Sequence, residues 1–327
     1  MRWCPRTIGL VALGVAALAA VTPFCSDFIR LLIIKSLILA ILAMGLDLIL
    51  GFIGLPSLGQ AAYFGIGGYT VGILAVRHEI GLGWDFWLVL LLGVVFALLG
   101  AAVFGLLAIR ATGVYFLMIT LALGMGVWGL AYRWNSLTGG DNGIAGIPRP
   151  VMWLSLRNDL AFFYLTLAIF AASLAILALI SVSPFGRSLV GIRESETRMK
   201  MLGYNVWLHK YLAFVLSGGF GGVAGVLWGY HNNFVSPEDL VIETSLEALL
   251  MVALGGPATL IGPAFGAGVI VFLKYWLSTK YAGWPYILGI IYVVTILYLP
   301  EGLMGIRGRL RWSRRRAGTP GGAEAQA

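Results

Sequence analysis

The sequence predicts an all-α membrane protein, a polytopic helical bundle of about ten transmembrane spans, some short or broken, with both ends cytoplasmic. Three observations carry that expectation. Of the 327 residues 60% are hydrophobic and only 11% are charged, where a soluble domain carries about 25% charge; the mean hydropathy is +0.92. Apolar runs recur along the chain at lengths approaching the ~20 residues that cross a bilayer. The 45 glycines suit helices that approach one another closely inside a membrane.

Arg2 and Arg6 precede the first apolar run, Ile8–Val21. A basic start, a short apolar core and small residues at 17–20 also describe a cleaved signal. The retained-span reading is preferred because the rest of the chain then alternates sensibly across the bilayer. Phe28–Leu50 is the second span, with Lys35 and Asp47 expected to snorkel or to face protein. The third lies in the glycine-crowded stretch Gly51–Val76, where glycine serves either tight helix packing or a local helix break. Trp87–Ile109, Thr112–Tyr132, Phe162–Val182 and Tyr211–Tyr230 are spans four to seven. Ser245–Gly256 is short for a span; GGPATLIGPAFGA (255–267) then leads into the ninth, through about Trp276. A short helix, a glycine break and a second helix are features of transport paths. Trp284–Leu299 is the last span. Residues 1–306 thus form a single transmembrane domain, and the basic cytoplasmic tail 307–327 is expected to be disordered.

Charge supports this threading. Fourteen of the 22 basic residues fall in segments placed inside, as the positive-inside tendency requires. The net charge of +8 therefore reflects sorting across a bilayer, and nucleic acid is not an expected partner. Cys4 and Cys25 fall at opposite ends of the first span and have no metal-ligand spacing. His78, His209 and His231 lie in three separate loops, with no acid/base, nucleophile or metal grouping around them. No catalytic residue and no metal site are assigned, and no P-loop is present. Clearly placed acidic residues at the midplane are missing, which disfavours an ion-coupled carrier; a repeated pore motif is missing too, which disfavours a channel.

The longest polar, charge-mixed segment between two spans is GRSLVGIRESETRMKMLGYNVWLHK, Gly186–Lys210, within a cytoplasmic loop at 184–210. Read as one short helix over Ile192–Leu202, it has Ser195 capping a turn and Gly203 ending it. Ile192, Met199 and Leu202 then share one face, with Glu194–Arg198 and Glu196–Lys200 pairs on the other. Such a helix can seat in a groove of a soluble partner and pass rigid-body motion to the spans on either side.

That segment, continued to Trp228, resembles the corresponding region of branched-chain amino acid ABC-transporter permeases. So do GLPSLGQAAYFGIGGYT (54–70), LTGGDNGIAGIP (137–148), FVSPEDLVIETS (234–245), LGGPATLIGPAFGA (254–267) and LPEGLMG (299–305). The resemblance runs colinearly over roughly residues 31–307. It implies an inner-membrane importer subunit that is not itself an enzyme, binds no cofactor, and relies on ATP and Mg on partner subunits. The implied partners are two ABC ATPases, a second homologous permease, a periplasmic or extracellular solute-binding protein, and membrane lipid. The family's coupling helix maps to about 193–203, which assigns contact with the ATPase to Arg193, Glu194, Ser195, Glu196, Arg198, Leu202 and Gly203. Binding-protein docking is expected at Gly139, Gly140, Asp141, Asn142, Pro237 and Glu238. Ser57, Gln60, Ser217 and Ser245 are the polar candidates for the translocation path, against the simpler reading that each satisfies helix packing. One departure is Pro257, where a more flexible glycine-rich turn is expected. The family also includes urea and short-amide permeases, so the cargo stays open between those and branched-chain amino acids. An ion-coupled secondary carrier in the same bacterial cytoplasmic membrane is the rival reading.

Overall fold

A chain with so many small residues folds by letting helices touch backbone to backbone. The computed structural model describes residues 14–81, 83–151 and 158–281, with isolated positions between 283 and 302. An apolar helix at Gly14–Phe24 leads into α1 (Asp27–Leu50), α2 (Gln60–Gly72, prolonged by a π turn at Ile73–Arg77), α3 (Phe86–Ala108) and α4 (Val114–Arg133). After β1 (Ile144–Ala145) come α5 (Asp159–Val182), α6 (Pro184–Glu194), α7 (Glu196–Met201) and α8 (Val206–Asn232). β2 (Phe234–Val235), α9 (Ile242–Gly255) and α10 (Ile261–Lys280) follow. Six of these, α1, α3, α4, α5, α8 and α10, are long and apolar enough to cross a membrane, close to where the apolar runs placed them. The start of the expected first span, most of the expected last span, Cys4 and the 307–327 tail lie outside the described residues.

α8 is the hub, packed on α1, α2 and α3; α1 in turn packs on α5, α9 and α10. The apolar windows of α1 and α8 are 83% and 72% buried, against 28%, 22% and 33% for α3, α4 and α5. The latter therefore turn apolar faces outward, as lipid requires. On α3 the buried positions Gly93, Ala97, Ala101 and Gly105 recur every four residues, a small-residue stripe that lets α8 settle against it. A Cβ at Gly222 would meet Ala97 Cβ and stand 3.1 Å from the Gly93 carbonyl oxygen. One at Gly225 would collide with the carbonyl of Phe64 on α2.

α2 and α9 have only 13 and 14 residues, so each rises about 20 Å and falls short of a full crossing. Non-helical backbone beside such short helices must be buried in protein and hydrogen-bonded. The 51–59 connector meets that demand. Phe52, Ile53, Leu55, Ser57 and Leu58 are buried; Leu58 N–H donates to Thr120 Oγ1 at 3.1 Å, and Gly59 N–H to Ser57 Oγ at 3.3 Å. One expectation is corrected. His209 and His231 lie in no loop: both belong to α8, near its opposite ends. The segments around 137–148 and 234–245 are joined, because β1 pairs with β2 antiparallel, Ile144 opposite Val235 and Ala145 opposite Phe234.

Candidate functional site

The polar segment folds as an elbow of two helices rather than one. Ser183 Oγ accepts Gly186 N–H at 3.2 Å and Pro184 opens α6, a start that proline favours. Ser195 then breaks the helix in an extended conformation (φ −164°, ψ 105°), and its Oγ accepts Arg198 N–H at 3.3 Å to cap α7. The left-handed Gly203 (φ +84°) closes it, as a C-terminal glycine does. The break at Ser195 turns α7 relative to α6 and undoes part of the expected pattern. Ile192 and Met199 are buried, but Leu202 is 66% exposed and joins exposed Met201 at the tip. Glu196 pairs with buried Lys210 at the start of α8 instead of with Lys200. Among the described residues Glu194 makes no ion pair, so its expected pairing with Arg198 does not form.

Arg193 leaves the elbow and donates through Nη1 to the carbonyl of Gly51, just past the end of α1. Its stem lies against Gly54, where an added Cβ would stand 3.3 Å from Arg193 Cγ. One turn back, the fully buried Asp47 accepts Ala258 N–H at 2.7 Å and Leu260 N–H at 3.2 Å. Ala258 and Leu260 hold φ of +63° and +56°, a region that residues other than glycine occupy at a penalty. Gly51 admits this approach, since a Cβ there would strike both Asp47 Oδ1 and Ala258 N. The elbow, the end of α1 and the α9–α10 turn therefore meet at one point. The turn after Pro257 is a strained conformation clamped by a carboxylate.

The four path candidates come from positions up to 188 residues apart, and the fold gathers them around the N-terminus of α2. Gln60 Nε2 donates to Ser217 Oγ at 2.8 Å, Ser217 Oγ donates to the Gly45 carbonyl at 2.6 Å, and Ser245 Oγ accepts Ala61 N–H at 2.9 Å. Ser57, Gln60, Ser217 and Ser245 all have zero exposure. In this conformation they tie α1, α2, α8 and α9 together. Among the described residues Gln60 Oε1 and the Tyr63 hydroxyl, also buried, have no hydrogen-bond partner.

The docking candidates sit about 40 Å from the elbow, a distance set by the length of α8. Gly139 and Gly140 take positive φ (+79° and +62°); Asp141 and Asn142 are exposed, and so, across the β1–β2 pair, is Glu238. Pro237 is buried and anchors this surface from below. Asp239 accepts Trp228 Nε1–H at 2.8 Å and Ser236 N–H at 3.1 Å, and burial raises its pKa above the usual carboxylate range. Arg149 donates to the carbonyls of Tyr230 and His231, both at 3.3 Å, and pairs with Asp159. It caps the C-terminus of α8 where a cation is favoured.

Residues 28–299 match the family described as "Branched-chain amino acid transport system / permease component". The chain belongs to this permease family. It is 29% identical to the high-affinity branched-chain amino acid transport system permease protein LivM of Escherichia coli K12 over 293 residues, covering 82% of this chain and 68% of LivM. It is 24% identical to the probable LivM of Methanocaldococcus jannaschii (85% of this chain, 93% of that protein). Against LivH of E. coli K12 it is 25% identical (81% and 91%). No solved structure matches the permease. Sequence reasoning marked Asp47 as an ionisable residue in an apolar run and Pro257 as a departure from pattern, but not that the two sites touch. Arg149 was missed; its signal was a lone arginine between two prolines.

Proposed function

We propose that this permease is the membrane-spanning subunit of an ATP-driven importer of branched-chain amino acids. It would work in the bacterial cytoplasmic membrane beside a second, unlike permease, two ATPases that bind ATP and Mg, and a solute-binding protein outside the cell. In this reading the chain crosses ten times with both ends cytoplasmic, counting Gly14–Phe24, the short α2 and α9, and the stretch 284–299 with the six long helices. The observation that carries the reading is the family match over 28–299. Its mechanical complement is the hydrogen bond from Arg193 to Gly51, by which a push on the elbow reaches α1 directly. The binding protein hands solute to the surface around 139–142 and 237–238. Nucleotide-driven closure of the ATPases moves α6 and α7, and the cluster at the start of α2 opens as α1, α2, α8 and α9 shift. The two subunit types among the relatives, LivM and LivH, fit the unlike second permease.

The test is reconstitution in vesicles with both permeases, both ATPases and the binding protein, following labelled leucine. Uptake is expected to require ATP on the elbow side and the binding protein on the other. Uptake by this chain alone, driven by an ion gradient, would overturn the reading in favour of a carrier.

A further inference from the structure

The elbow does not lie flush on the bundle. A cavity of about 730 Å³ separates it from the α1–α2 connector, the α3–α4 turn and α9. That volume lies within the ~300–1,000 Å³ typical of small-molecule sites. Leu50, Ile53, Leu55 and Ile192 give it apolar walls, and Arg193 and Glu194 also line it. The Arg193 guanidinium has five N–H donors and commits Nη1 to Gly51. Glu194, unlike Glu196, makes no ion pair among the described residues. A free carboxylate and a guanidinium with donors to spare, over an apolar floor, complement a zwitterion whose side chain is aliphatic.

We propose that this cavity is a second solute site, at the elbow end of the permease, that takes an aliphatic amino acid after translocation. The guanidinium receives the solute's carboxylate, Glu194 its ammonium, and the apolar walls its side chain. Because one wall is the elbow and the others are the bundle, a bound solute bridges the parts that must move relative to each other. Accumulated solute then slows the cycle, and by reciprocity the state of the cycle changes the affinity of the site. The inference rests on the amino-acid reading above and adds a product-side brake to it.

The experiment has two arms. In the first, leucine, 4-methylpentanoate (no ammonium) and 3-methylbutylamine (no carboxylate) are titrated by calorimetry into the purified permease–ATPase complex without binding protein. Leucine is expected to bind, and each half-molecule to bind about tenfold more weakly or worse, since each loses a charge-assisted contact. In the second, vesicles holding the complete complex are loaded with leucine and ATP hydrolysis is read, because exchange would mask a change in label uptake. Internal leucine is expected to slow hydrolysis on the order of fivefold. Ala253→Phe and Thr112→Phe each fill the cavity from a different wall; both should abolish the slowing and leave the rate without internal leucine unchanged. If Ala253→Phe fails to assemble, Thr112→Phe carries the test alone. Equal binding of leucine and its half-molecules, or slowing that survives the filled cavity, overturns the second site. A complete complex that moves some other solute and no amino acid overturns the proposed function instead, whatever the cavity binds.

Discussion

Asp47, fully buried near the end of α1, holds the backbone N–H groups of Ala258 and Leu260, 211 and 213 residues further along the chain. Both residues have positive φ, so the turn between α9 and α10 keeps its shape only while something grips it. Asp47→Ala leaves a buried donor at Leu260 and a part-buried one at Ala258 without acceptors, and nothing then holds the strained turn. A loss of about 2–4 kcal/mol is expected from the orphaned donors, read as a lower midpoint of thermal unfolding in detergent. Asp47→Asn keeps one good acceptor and should lose roughly half as much. Equal midpoints for wild type and Asp47→Ala would show that the clamp does not hold the turn.

Ala258→Gly probes the same turn from the other side. Glycine adopts φ near +60° without the Cβ conflict, which for alanine is worth about 1 kcal/mol. The variant is expected to be as stable as wild type or slightly more so. Combined with Asp47→Ala, it should recover part of the lost midpoint, because one of the two strained residues no longer needs holding. A double variant less stable than Asp47→Ala alone would contradict this.

What the sequence could disclose here follows from the range of the interactions. The long helices are legible because a run of apolar residues is a local property, and the caps at Ser195 and Gly203 are local too. Lys210 takes Glu196 away from Lys200 across 14 positions and a change of helix, which spacing within one helix cannot foresee. The cap at Ser195 does not by itself show that the chain changes direction there, so the spacing places Ile192, Met199 and Leu202 on one face, whereas the first two are buried and Leu202 is exposed. Asp47 was legible as a residue needing a partner; which partner depended on a fold that brings α9 back to the end of α1. The gathering of Ser57, Gln60, Ser217 and Ser245 was likewise beyond reach residue by residue, since α2, α8 and α9 each supply a part.

Reversing charge on the elbow should uncouple the machine without dismantling it. Glu194→Lys with Glu196→Lys is expected to lower both leucine uptake and solute-stimulated ATP hydrolysis, with the complex still assembled. Part of the effect has a local cause: Lys at 196 faces buried Lys210, and an uncompensated buried charge is strongly destabilising. Glu194→Lys alone, at a position with no ion pair among the described residues, separates the two causes. Lys200→Ala, on an exposed position, should stay within about 0.5 kcal/mol of wild type. Wild-type uptake by the double variant, measured in vesicles with the partner subunits, would remove the elbow from the mechanism.

The glycines of α8 are not equivalent to those of α4. A Cβ at Gly225 would run into the Phe64 carbonyl, whereas at Gly126 nothing lies within 4 Å. Gly225→Ala is expected to push α2 off α8 at about 1–3 kcal/mol, the usual range for overpacking, and to reduce recovery of folded protein from membranes. Gly126→Ala should be neutral or stabilising by up to about 1 kcal/mol, because it replaces glycine inside a helix. Comparable yields for the two variants on size-exclusion chromatography would mean that close α2–α8 contact does not govern folding.

Asp239 supplies the pH dependence. Its carboxylate closes a capping box with Ser236 and accepts Trp228 Nε1–H, and burial raises its pKa above the ordinary 3.8. A raised pKa means that the folded state holds the proton more tightly than the unfolded chain. The resulting stabilisation is complete below the unfolded value and is lost as pH climbs through the folded one. Asp239→Asn is neutral at every pH and removes this slope. It also turns an amide toward Ser236 N–H, and losing that half of the capping box costs about 1 kcal/mol. Unfolding midpoints from pH 4 to pH 8 should therefore fall more steeply for wild type than for Asp239→Asn, with the two closest at the acid end, where the protonated carboxyl, like the amide, offers a single acceptor. Parallel curves would show that Asp239 does not change protonation on folding in this range.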